Sequence, residues 1–301
     1  MNTYDIIIVG AGPAGLTAAI YARRANKKVL VLEANTYGGQ IINTKTIENY
    51  PVNPGISGFD FATKLYNQTK DLGAEIKFEK VINITEQEVT TTKQTYKTKT
   101  IILATGADNR KLKLENEEKL TGKGISYCAT CDGALYKNKI VAVNGGGNTA
   151  LEDAIYLSDI AETVYLIHRR DTFKAEQVLI NQLKQKQNIK LILNSNITKI
   201  NGETKLESVE ITNENNETTK LEIDALFIAV GQVPETENFK KLININEQGY
   251  VIATEDCKTN IKNIFVAGDN RTKQLRQLVT AASDGAVAAT GAIKYINDNK
   301  E

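Results

Sequence analysis

Cys128-Ala129-Thr130-Cys131 is the segment whose residue types most directly imply chemistry. Two cysteines three positions apart can form a redox disulfide, supply half of a metal site, or be two buried side chains. A structural zinc needs four ligands, usually cysteine or histidine. Only Cys257 and His168 remain to complete such a set, with no second paired motif, so no metal is expected. Three cysteines in 301 residues also exclude a disulfide-stapled secreted scaffold.

Two glycine-rich turns supply a second kind of chemistry. Tyr4 to Val9 is a short β-branched run, followed by Gly10-Ala11-Gly12-Pro13-Ala14-Gly15 and by helix formers up to Arg24. A second strand, Val29 to Leu32, ends at Glu33. The pattern returns as the strand Lys139 to Val143, then Gly145-Gly146-Gly147-Asn148-Thr149-Ala150, a helix through Leu157 and the strand Thr163 to Ile167. Gly10 to Glu33 and Gly145 to His168 are both 23 positions apart, which marks two copies of one βαβ unit. In such a unit the first glycine permits the tight turn and the second lets backbone approach a pyrophosphate. The third, or a small Ala150 in its place, allows helix and strand to pack closely. The phosphate then sits on the helix N-terminus, where free N–H groups and the dipole favour negative charge.

The copies differ where a ribose would be read. A carboxylate at Glu33 accepts hydrogen bonds from a 2′-hydroxyl, which suits FAD or NAD. His168-Arg169-Arg170 stands at the equivalent place of the second copy, and guanidinium groups bind phosphate with paired donors. The second site is therefore expected to prefer NADPH. His168, the only histidine, takes a cofactor-side role only through its neighbours.

Lys plus Arg is 37 and Asp plus Glu is 36, a balance that argues against a nucleic-acid partner. The apolar stretch from Ile6 to Ile20 follows Asp5 and is broken by Gly10, Gly12, Pro13 and Gly15, so it does not read as a secretory signal. No apolar run is long enough for a membrane span, and a soluble, cytoplasmic protein is expected.

With these residues in hand, the chain resembles the pyridine nucleotide-disulfide oxidoreductases, and among them the low-molecular-weight, bacterial-type thioredoxin reductases. The resemblance runs nearly end to end. Its markers are Gly10 to Gly15, Gly38-Gly39-Gln40, Glu48-Asn49-Tyr50-Pro51, Ala104-Thr105-Gly106-Ala107, Cys128 to Cys131 with Asp132-Gly133, Gly145 to Ala150, His168-Arg169-Arg170, Gly268-Asp269 and Arg276-Gln277. In relatives such as glutathione reductase the redox pair lies in the FAD domain. Here it lies just ahead of the second glycine turn.

The resemblance implies an α/β fold of two doubly wound, Rossmann-like domains, the NADPH domain inserted into a discontinuous FAD domain. The FAD domain is expected over 1–114 and 242–301, and the NADPH domain over 115–241. On FAD it would place Gly10, Gly12, Pro13, Ala14, Gly15, Glu33, Gly39, Gln40, Asn49, Thr105, Gly106, Gly268, Asp269, Arg276 and Gln277. On NADPH it would place Gly145, Gly147, Asn148, Thr149, Ala150, His168, Arg169, Arg170 and Lys174. Electrons would pass from NADPH through FAD to a Cys128–Cys131 disulfide and on to thioredoxin or a thioredoxin-like protein. Cys131 would face the flavin, Cys128 would attack the partner, and Asp132 would act as acid and base. A homodimer and a rotation between the domains are further expectations.

Two residues depart from the family pattern. Lys174 stands where arginine is common, which keeps charge and loses the bidentate fork. Asn144 replaces an apolar residue before the glycines. The competing readings are a flavin disulfide reductase fed by a ferredoxin-like donor and a non-catalytic flavin redox sensor.

Overall fold

The computed structural model describes residues 3–44, 46–47 and 49–299; Glu48 of the Glu48-Asn49-Tyr50-Pro51 motif lies outside them. The first segment forms β1 (Thr3–Val9), α1 (Pro13–Arg24), β2 (Val29–Glu33), α2 (Gly58–Asp71), β3 (Glu75–Phe78), β4 (Val81–Ile84), β5 (Glu88–Thr91) and β6 (Thr95–Leu103). β1 is central, pairing in parallel with β2 on one edge and β6 on the other. Ile6, Ile7 and Ile8 are closed to solvent on both faces, so this strand reads as a continuous apolar run instead of an alternation. α2 starts where the Ser57 hydroxyl accepts from the Asp60 N–H, satisfying one of the free donors of the first turn.

The chain leaves this unit through β7 (Ala107–Asn109) and then forms α3 (Glu117–Leu120), β8 (Ile125–Ser126), α4 (Ala129–Asp132), β9 (Ile140–Asn144), α5 (Asn148–Ser158), β10 (Thr163–Ile167), α6 (Gln177–Gln185) and β11 (Ile189–Ile192). An antiparallel excursion follows, β12 (Ser195–Asn201), β13 (Ser208–Asn213) and β14 (Thr218–Glu222), before β15 (Ala225–Ile228) returns to the sheet. The second sheet has the order β11-β10-β9-β15-β8 and is parallel throughout. Asn144 continues this sheet, opposite Ile167 on one side and Ile228 on the other, so the polar residue does not break the strand end.

β16 (Gln232–Pro234) carries the chain back, and β17 (Ile264–Val266) and α7 (Leu278–Asp298) complete the first unit. β17 pairs with the end of β6, giving seven strands. The two sheets thus share a plan: a central first strand, its βαβ partner on one side and a returning strand on the other. Among the described residues, no helix is long and apolar enough to cross a membrane.

The compact units are 1–108 with 233–301, and 109–232. These crossings fall at the polar stretches Asn109-Arg110-Lys111 and Gln232-Val233-Pro234-Glu235, a few residues ahead of the bounds at 114 and 242. Leu112 and Leu114 pack against the inserted unit's cluster of Leu120, Ile125 and Leu226. Phe239 and Ile243 belong to the first unit's cluster with Tyr4, Ile7 and Val266.

Candidate functional site

In the first unit, β1 delivers the chain into a turn that only glycine can make. A Cβ on Gly10 would stand 2.2 Å from the Ala104 carbonyl oxygen, and one on Gly15 would stand 2.0 Å from that of Gly10. α1 then begins with Gly12 at its N-cap and Pro13 next, with no side chain capping the first turn. Its free N–H groups are those a pyrophosphate would accept. Gly39 closes in on this turn, a Cβ there lying 3.4 Å from the Gly12 Cα. Glu33 at the end of β2 takes the Ala11 N–H at 2.8 Å on one oxygen and the Asn35 N–H at 2.9 Å on the other. A carboxylate has about four acceptor positions, so capacity remains for a sugar hydroxyl.

At the C-terminal ends of β6 and β17, the Ala267 N–H donates to the Leu103 carbonyl at 2.9 Å and the Asn270 side-chain amide donates to Thr105 Oγ1 at 3.0 Å. Asp269 Oδ1 and Asn270 Oδ1 are closed to solvent and have no hydrogen-bond partner among the described residues. Burial pushes the Asp269 carboxyl up, while Lys273 and Arg276 pull it down. Buried acceptors are normally satisfied, so a ligand bringing hydroxyl donors fits this loop. Arg276 braces it from behind, donating to the Asp269 and Arg271 carbonyls and lying 4.1 Å from the Tyr250 ring centre. Asn49 donates to Gln277 Oε1 at 3.0 Å, joining residues 228 positions apart at the start of α7. Gln40 donates to Asp108 and Thr105 to the Glu235 carbonyl.

The residues that hold this loop escaped the sequence reading. Asp284 in mid-α7 accepts the Gly268 N–H at 2.9 Å, the Arg271 guanidinium through two bonds of 2.8 Å, and Lys273 at 2.8 Å. Burial would raise its carboxyl, yet Arg271 and Lys273 hold it below the usual range. Arg271 is wholly buried. The available signal was an acid within the alanine-rich stretch Leu278 to Ile296, since unpaired charges are rarely buried.

In the inserted unit, Gly145 follows β9 directly, and a Cβ there would meet the Ala229 carbonyl oxygen at 2.4 Å and the Ala150 Cβ at 2.7 Å. Ala150 therefore fills the third-glycine place at the limit of the space. α5 starts at Gly147 and Asn148 with no side-chain cap. The His168 ring covers Gly146, where an added Cβ would lie 2.1 Å from it, and it stacks on Phe173 at 5.5 Å. It thus supports the glycine turn. Lys174 is bridged to the same turn, its N–H donating to the Gly146 carbonyl at 2.7 Å. Asn148 spends its side chain on Glu176, donating to the carboxylate and accepting the Glu176 N–H. Arg169, Arg170 and Lys174 are exposed, and among the described residues none is ion-paired with a carboxylate. Exposed guanidinium and ammonium groups are the donors that a phosphate takes.

Cys128 and Cys131 are joined by a disulfide, with Cys128 at the N-cap of α4. Both are partly exposed. Asp132 ends that helix; burial raises its carboxyl and a hydrogen bond from Ser126 pulls it back down. Cys257 is a different kind of cysteine, fully buried, with burial pushing its thiol up to about 12.

The chain matches the pyridine nucleotide-disulphide oxidoreductase family over residues 4–285 and belongs to it. It is 41% identical to the thioredoxin reductase of Listeria innocua, with 99% of this chain and 95% of that one covered. It is 45% identical to a 34.2 kDa protein in the rubredoxin operon of Clostridium pasteurianum, with 97% of each covered. The crystal structure of thioredoxin reductase from Streptococcus pyogenes has a TM-score of 0.92 and 38% identity, covering 98% of this chain and 99% of that chain.

Proposed function

We propose that this chain is a thioredoxin-disulfide reductase, moving electrons from NADPH through FAD and the Cys128–Cys131 disulfide to thioredoxin or a thioredoxin-like protein. The observation that carries this reading is the disulfide in the inserted unit, one 3-10 turn and one strand ahead of the second glycine turn. Near-full-length similarity to a thioredoxin reductase supports it.

FAD, when bound, supplies a two-electron relay between a hydride donor and a disulfide. Gly10, Gly12 and Gly15 at the head of α1 would take its pyrophosphate, Glu33 its ribose, and Asp269 the hydroxyls of its chain. The head of α5 would take the pyrophosphate of NADPH, with Arg169, Arg170 and Lys174 on the 2′-phosphate. Cys128 then attacks a partner disulfide as a thiolate, Cys131 resolves the mixed disulfide, and Asp132 carries the proton. The same reading expects a cytoplasmic homodimer.

The test is an anaerobic titration of the purified yellow protein with NADPH, with NADH alongside, followed by a thioredoxin-coupled assay. Bleaching of the flavin band by about two equivalents of NADPH, one per two-electron couple, is expected. Bleaching by dithionite but not by NADPH would overturn the donor assignment and favour a ferredoxin-like source.

A further inference from the structure

Ser126 ends β8, two residues ahead of Cys128, and the mechanism above gives it no part. It is buried, and its Oγ donates to Asp132 Oδ2 at 2.6 Å. The same oxygen accepts the Cys128 N–H at 3.1 Å. Its 3.4 Å approach to the Cys128 carbonyl is much the weaker use of its single proton. One hydroxyl, fixed in the parallel sheet, therefore joins the acid to the backbone of the redox loop.

We infer that Ser126 is a positioning residue for thiol–disulfide exchange, holding Asp132 ionised and in place to take the Cys131 proton. The inference rests on the reductase reading. In the reduced protein the Cys128 thiolate attacks one sulfur of the partner disulfide, whose S–S bond breaks as the other sulfur departs as a thiolate. Cys131 gives its proton to Asp132, and its thiolate attacks Cys128 Sγ. The Cys128–Cys131 bond forms and the second partner sulfur departs. The protons given up by Cys128 and Cys131 end on the two partner sulfurs. The cysteine pair loses two electrons and the partner gains the same two.

Asp132 must be ionised to accept that proton, so its titration sets the acid limb of the exchange rate. A hydrogen bond donated to a carboxylate favours the ionised form, so losing Ser126 raises the Asp132 carboxyl and moves the limb to higher pH. The other titratable groups on the elements packed against α4 are Tyr136 on the following 3-10 turn (Gly133–Tyr136) and Glu152, Asp153 and Tyr156 on α5. None of them contributes to the Asp132 shift, which burial and Ser126 make between them.

The experiment reacts the pre-reduced holoenzyme with a thioredoxin disulfide across the acid and neutral range by stopped flow. Ser126→Ala is expected to move the acid limb up by about one unit, the effect of one lost charge-assisted hydrogen bond, and Ser126→Thr to restore it. In an Asp132→Asn background, Ser126→Ala should add nothing to the pH profile. A Ser126→Ala profile that overlays the wild type, or is lowered equally at every pH, would overturn the inference. If Ser126→Ala does not fold, Ser126→Gly carries the same comparison. Wild-type dithiol that reduces no protein disulfide at any pH would overturn the reductase reading itself, a result distinct from an unshifted variant.

Discussion

Asp269 and the basic trio illustrate how single side chains can be tested apart from the fold. Asp269 Oδ1 is a buried acceptor with no partner among the described residues, so the site favours a ligand with hydroxyl donors. Asp269→Ala is expected to purify with little flavin, and Asp269→Asn, which keeps an acceptor, to retain more. Each lost bond to a charged group costs about 1.5–3 kcal/mol, and the ratio of flavin to protein absorbance reads the outcome. At the second site, Arg170→Ala should raise the KM for NADPH by about tenfold or more while leaving that for NADH unchanged, since a charge-assisted bond exists only with the 2′-phosphate. Equal effects on both nucleotides would remove Arg170 from that role. Cysteine spacing, paired glycine turns and the Glu33 against Arg169-Arg170 contrast were legible in the sequence because each is local. Ser126, Arg271 and Asp284 were not, because their meaning lies in partners 6 to 16 residues away that only folding brings together.

At the scale of elements, α7 does more than close a layer. Its Gln277 and Thr280 form a reciprocal cap, and Asp284 two turns on pins the Gly268 turn to Arg271 and Lys273. Breaking a buried ion pair by removing one charge costs about 3–5 kcal/mol, so Asp284→Asn is expected to lose that much in denaturant unfolding. The sign with pH follows from the depressed Asp284 carboxyl. Its stabilisation is present above the unfolded value near about 3.9 and fades as pH falls through the lower folded one. Melting curves should therefore show wild type and Asp284→Asn well apart at neutral pH and converging only in strong acid. A gap that closes at mildly acid pH would contradict the assignment. The strands β1, β2, β9 and β10 were readable as apolar runs, whereas α7's role was hidden by a composition that reads as ordinary core helix.

The whole molecule is two cores on one chain, and the cores are unequal in how they are assembled. Every member of the inserted unit's clusters, from Leu112 to Val230, falls within 109–232. The first unit's clusters take Ile6, Leu16 and Ile102 from the front of the chain and Phe265, Ala288 and Ile296 from the back. Residues 109–232 made alone should therefore fold cooperatively, close their Cys128–Cys131 disulfide and bind NADPH, seen as a change in nucleotide fluorescence. Residues 1–108 alone should not fold, because β6 would lose β17 and α1 would lose its packing against α7. Joining 108 to 233 through a short glycine–serine linker should restore folding, since the Glu235 N–H already meets the Gly106 carbonyl at 3.1 Å and little closure entropy is added. That joined protein is expected to bind flavin yet reduce no disulfide, having lost both redox cysteines. If it takes up NADPH in place of flavin, or if 109–232 retains the flavin, the assignment of one nucleotide to each unit is reversed.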